Sequence, residues 1–71
     1  MKTRRLRIIH DAEHSEVRIS GNAEGLKYLA DACLAVIGHD SPAGHWHLMD
    51  RMHNVEEGSI DAVVEFVPDW D

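Results

Sequence analysis

Residues 44–59, GHWHLMDRMHNVEEGS, gather most of the side chains of this 71-residue chain that could do chemistry. His45 and His47, spaced i and i+2, point the same way on an extended segment, and two imidazoles so placed can ligate one zinc or iron ion. His53 or Asp50 could add a third ligand from the residues that follow. Structural zinc sites usually show four ligands, often with paired cysteines, and Cys33 is the only cysteine here. The same histidines serve equally as ordinary polar contacts on a sheet face, so no cofactor is expected. Hydrolysis has less support. Ser, His and Asp are all present, but no GxSxG elbow and no HExxH helix motif occurs. A domain of this length seldom encloses a deep substrate cleft, and the chain is expected not to be an enzyme.

The elements that must position these residues follow from hydropathy patterning. RRLRIIH alternates, with Leu6 and Ile8 on one face and Arg5, Arg7 and Ile9 on the other, and EVRIS alternates in the same way. The polar DAEHS between them makes the pair a β-hairpin. The period then changes to that of a helix. Leu26, Leu29, Ala30, Cys33, Val36 and Ile37 form one stripe, which predicts a helix over 23–37. Asn22 is its N-cap, Glu24 faces the positive end of the helix dipole, and Gly38 and Pro42 stand where the helix should stop. HWHLM alternates again, with His45, His47 and Met49 opposite Trp46 and Leu48. RMHNVEEGS reads as a loop with Gly58 at positive φ. SIDAVVEFVP is a last strand ended by Pro68, with Ile60, Ala62, Val64 and Phe66 on one side.

The expected fold is therefore a single α+β domain over 1–71, with the order strand, strand, helix, strand, strand. Its economical form is a two-layer sandwich, in which one helix covers one face of a largely antiparallel four-stranded sheet. One helix cannot cover both faces, so the second must be polar or buried against something else. The basic start and residues 68–71 are expected to be the least fixed parts.

Charge narrows the partners. Four of the seven basic residues fall within the first seven positions, which leaves three bases against all thirteen acids in residues 8–71. Such a surface argues against nucleic acid and suits a basic protein partner. The KTRRLR start could touch a phosphate or an acidic neighbour, but arginines on the outer side of a strand also simply deter aggregation. The short apolar run after it is broken by His10 and Asp11, so neither an export signal nor a membrane segment is expected. One cysteine and no leader make the cytoplasm the expected compartment. Trp46 shares a face with Leu48 and is expected in the core, whereas Trp70, in the acidic PDWD tail, reads as an exposed anchor or as part of a loose terminus.

Taken together, SGNAEGLKYLADACLAVIG, HWHL and NVEEGSIDAVVEF resemble the immunity protein 32 family of bacterial polymorphic toxin systems. The positions that carry the likeness are Ser20, Gly21, Asn22, Glu24, Gly25, Leu26, Tyr28, Leu29, Ala30, His45, His47, Leu48, Glu56, Glu57, Gly58 and Ser59. It spans about residues 16–66. Two departures stand out: Met49 separates the HL pair from Asp50, and Trp46 stands where a smaller aliphatic is expected. The resemblance implies a protein that binds and neutralises a cognate toxin. On the charge pattern, Asp50, Glu56, Glu57, Asp61 and Glu65 would form an acidic binding face, with Trp46 or Trp70 as an aromatic anchor, and the toxin would be a basic nuclease. The alternative is a small homodimeric structural or regulatory domain, with His45 and His47 as candidate ligands for a metal.

Overall fold

The computed structural model describes residues 3–38, 44–67 and 70. β1 (Leu6–Asp11) and β2 (Glu16–Gly21) form the expected antiparallel hairpin, with Ile8 opposite Ile19 and His10 opposite Val17. α1 (Ala23–Gly38) follows, then β3 (His45–Leu48), a 3₁₀ turn over Asp50–Met52, and β4 (Ala62–Glu65). β3 and β4 pair antiparallel, with His45 opposite Glu65 and Leu48 opposite Ala62. The class is α+β, one helix with four strands. The proline stops expected at Pro42 and Pro68 lie outside the described residues, as do Asp69 and Asp71.

The sheet differs from the single four-stranded one expected: it is two separate two-stranded sheets. What lies between them explains the break. Residues 56–60 run alongside β1 in the same direction, with the Glu56 N–H on the Leu6 carbonyl (2.7 Å) and the Ile60 N–H on the Ile8 carbonyl (2.8 Å). Four residues on one side thus span two on the other, so a regular ladder cannot form. Ser59 fills the gap: its buried hydroxyl accepts the Ile8 N–H at 3.1 Å, where a strand would offer a carbonyl. Gly58 turns the chain there at φ 89°, the positive value expected for it.

Asn22 caps α1 as expected and does more. Its Oδ1 accepts from the Gly25 N–H (2.8 Å) and also from the Arg5 N–H (3.0 Å), while its Nδ2 donates to the Thr3 carbonyl (2.6 Å). The helix start is thereby tied to the start of β1. Gly25 packs so tightly there that a Cβ would lie 1.7 Å from the Arg5 carbonyl oxygen.

This anchoring rotates the helix relative to the expected stripe. The buried positions are Gly25, Ala32 and Val36, with Tyr28 and Leu29 packed on the core, whereas Leu26 and Ile37 are exposed. The stripe read from hydropathy was thus turned by about one position, because contact with Arg5 needs a residue without a side chain. Gly38 ends the helix from inside it, without the positive φ expected of a capping glycine.

The core is small. Leu6, Ile8 and Leu48 are fully buried, with Tyr28, Leu29, Val55, Ala62 and Val64 around them. Ile60 and Phe66, expected on the inner side of the last strand, are exposed, because regular pairing covers only Ala62–Glu65. The strand residues that alternate with the buried ones, among them Arg7, Ile9, Arg18, Val63 and Glu65, face away from the core and are mainly polar.

A chain of this size holds about 3 to 5 kcal/mol of stability. Gly25→Ala pushes a methyl into backbone that has no rotamer to yield, so a loss of about 3 kcal/mol is expected, a fall in Tm on the order of 15 °C. Gly38→Ala is the control: its Cβ meets nothing within 4 Å, and it should be neutral or raise Tm. Thermal melts of both variants by circular dichroism check the pair.

Candidate functional site

Residues 45–54 gather around the edge of β3, while Glu56 and Ser59 bond to β1. His45 and His47 sit edge to face with ring centroids 5.0 Å apart. Neither His53 nor Asp50 completes a ligand set with them. Among the described residues, the side chains close enough to share an ion are Asp11, His14 and Glu16 at the hairpin turn, with ligand atoms within 4.8 Å of one another. That place already holds a cation, because Arg18 reaches both Asp11 (3.3 Å) and Glu16 (3.2 Å).

Trp46 is not the core residue expected. It is 37% exposed, because β3 is an outer strand and the buried side of its inward face is filled by Leu48. Its indole N–H donates to the Tyr28 hydroxyl at 3.0 Å, and the two rings meet at 75° with centroids 6.3 Å apart. The Arg4 guanidinium lies over the other ring, 3.8 Å from the Tyr28 centroid. Arg4, Tyr28, Trp46, His45, His47 and Met52, with Asn54, line an open cleft of about 340 Å³. The Nδ1 of His47 is itself buried and without a hydrogen-bond partner among the described residues, an arrangement that typically costs about 1 to 3 kcal/mol.

Asn54 builds the cleft floor. It is 7% exposed, accepts the Met49 N–H at 2.9 Å and donates to the His47 carbonyl at 2.8 Å, clamping the end of β3 to the turn that follows. That turn is a 3₁₀ turn and not an irregular loop, and His53 leaves it in the left-handed region at φ 59°. A larger cleft of about 380 Å³ lies at the Arg5 end of β1, where Arg5 and Glu56 pair at 2.6 Å.

The acidic residues singled out from the sequence do not share one environment. Glu56 is half-buried and bound to Arg5, and Asp61 pairs with Arg51 at 3.5 Å. Asp50 opens the 3₁₀ turn, Glu57 is exposed, and Glu65 lies across the strand pair from His45. Among the described residues these last three carry no ion pair. Trp70 is 81% exposed.

Four residues of the cleft were not expected from the sequence: Arg4, Tyr28, Met52 and Asn54. Arg4 belonged to a start read as solvated, Tyr28 lay one position off the expected helix stripe, and Met52 and Asn54 sat in a segment read as loop. Hydropathy carries no signal for a buried asparagine. A tyrosine one step from an apolar stripe could have been flagged as a rim residue.

The family model described as Immunity protein 32 matches residues 16–67. The chain belongs to the immunity protein 32 family. No curated protein and no solved structure matches it. The family match covers Gly21, Asn22 and Gly25, which grip β1, and also Tyr28, Trp46 and Asn54 of the cleft. Arg4 lies before it. Immunity proteins are generally not enzymes, and their role is to bind a toxin. No described helix is long and apolar enough to cross a membrane.

Asn54→Ala leaves the Met49 N–H and the His47 carbonyl unpaired and should cost about 2 to 3 kcal/mol. Asn54→Asp keeps the acceptor for Met49 but turns a second carboxylate oxygen toward the His47 carbonyl, and should recover little of that loss. Urea titrations of the two variants measure it, and a full rescue by aspartate would show that the His47 contact contributes nothing.

Proposed function

We propose that this protein binds a cognate bacterial toxin domain and neutralises it, protecting the cell that makes both. The observation that carries this reading is the family match across most of the chain. The surface is compatible with it. Seven bases against thirteen acids leave a net charge of −6, and Asp50, Glu57 and Glu65, around β3 and the segment leading to β4, carry no ion pair among the described residues. A basic toxin, such as a nuclease whose groove takes a polyanion, would be steered toward such a surface.

The direct test is rescue. Co-expression with its cognate toxin domain, sought among the neighbouring reading frames, should restore growth, and continued killing with the protein folded and abundant would refute the reading. The electrostatic part has its own test. Glu57→Lys combined with Glu65→Lys should lower the association rate about tenfold at low salt and flatten its dependence on ionic strength. Unchanged association kinetics would remove charge steering while leaving neutralisation intact. Glu56 is a poor choice for that test, because reversing it also breaks the pair with Arg5.

A second reading, homodimerisation, is favoured by one feature. The carbonyls of Leu6 and Ile8 and the Ile8 N–H point away from β2, so the cross-strand partner Ile19, and by alternation Val17, turn their backbone groups to the open edge. Their side chains are 48% and 55% exposed. An unprotected edge of this kind can pair with a second copy. Sedimentation at increasing concentration should then show a dimer that Ile19→Lys abolishes, and a monomer throughout would exclude it.

A further inference from the structure

We propose that the cleft between the start of β1, the helix and the free edge of β3 is an anion pocket that receives a carboxylate side chain of the toxin. This rests on the toxin-binding reading for the source of the carboxylate, and it identifies a contact of opposite sign to the acidic surface around it.

Arg4 supplies the charge. Arg5, Arg18 and Arg51 each pair with a carboxylate of this chain, whereas among the described residues Arg4, Arg7 and Lys27 pair with none, and of these three Arg4 alone lines the cleft. Its guanidinium is held over Tyr28, which occupies one face of its plane and leaves N–H groups at the edge, the geometry that takes a carboxylate by two parallel hydrogen bonds. His47 lines the same cleft, beside Trp46 and Tyr28.

The cleft wall is built for contact. Tryptophan, tyrosine, methionine and arginine are the residues most enriched at the centres of protein interfaces, and Trp46, Tyr28, Met52 and Arg4 converge here. The hydrogen bond from Trp46 to Tyr28 and the cation over the ring fix three of these side chains before any partner arrives, so little rotamer freedom is left to lose. Met52 is 56% exposed and would be covered on docking. A single carboxylate fits better than a nucleic acid backbone. The net charge of −6 repels a polyanion along any extended track, whereas one monoanion needs only the local field of Arg4.

The test uses the whole chain and no toxin. The indole signal of Trp46 and the ring signals of His47 are followed by NMR during titration with N-acetylglutamate amide, with N-acetylglutamine amide, and with inorganic phosphate. The glutamate probe should shift both sets of signals saturably with a Kd on the order of 10 mM, and the glutamine probe should bind at least about tenfold more weakly. Arg4→Gln, at an exposed position, should weaken the glutamate probe by about the same factor while the amide spectrum stays that of the folded protein. No saturable shift, equal binding of the two amides, or undiminished binding to Arg4→Gln would each overturn the pocket. Phosphate binding more tightly than the glutamate probe would overturn the carboxylate assignment in favour of a phosphate ligand. Because growth rescue does not enter this measurement, the pocket can fail while neutralisation stands, and the reverse.

Discussion

The backbone of Arg5 is where the first strand and the helix are joined. Its carbonyl lies against Gly21 and Gly25, where a Cβ would come within 2.7 Å and 1.7 Å, and its N–H is held by the side chain that caps the helix. Asn22 also donates to the Thr3 carbonyl and accepts from the Gly25 N–H, so one amide side chain satisfies strand and helix together. Once the first turn of α1 is seated there, its rotation is no longer free. Gly25 fixes which face looks inward, Leu29, Ala32 and Val36 follow at helical spacing, and Tyr28 is delivered to the side where Trp46 stands. The aromatic wall of the cleft is thus a downstream consequence of two glycines that allow backbone to meet backbone.

The same dependence on polar side chains runs through the rest of the fold. With Leu6, Ile8 and Leu48 as its fully buried side chains, the hydrophobic term alone is small. Ser59 replaces a carbonyl in the seam beside β1, and Asn54 replaces a neighbouring strand at the outer edge of β3. Both are buried, and both are paired, so each contributes the bond it makes and also averts the larger penalty of an orphaned backbone group. Surface ion pairs such as Arg5 with Glu56 add little beside these, because water screens them.

This division explains what could be read from the sequence. Alternation in RRLRIIH and EVRIS located the hairpin, with Leu6 and Ile8 correctly inward, and the period change after Gly21 located the helix to within one residue at its end. The inward Leu6 and Ile8 reflect burial, which hydropathy records, whereas Val17 and Ile19 alternate in the same way and are nonetheless exposed. The split of the sheet arises from Ser59 and Gly58, and the rotation of the helix from the clearance at Gly25, and neither leaves a trace in a hydropathy pattern. The cleft was partly legible for the same reason. His45, His47 and Trp46 drew attention by type and spacing, whereas Arg4 and Tyr28 are brought to them by tertiary contact alone, and Asn54 looks like any loop residue until its two backbone partners are seen.

An acidic surface around a pocket with one cationic end makes physical sense for a protein that must choose a single partner. Long-range attraction between opposite net charges raises the encounter rate but discriminates poorly, since any basic protein is drawn in. Discrimination needs a group that helps the right partner and penalises the others. Arg4 has that property: opposed by a lysine or arginine of an unrelated basic protein it repels at short range, and opposed by an apolar side chain it loses water with nothing in return. The aromatic rings sharpen the penalty by excluding the water that would otherwise screen it. On the proposed reading, attraction would come from the many acids and selectivity from the one arginine, and the two would not need to be strengthened together.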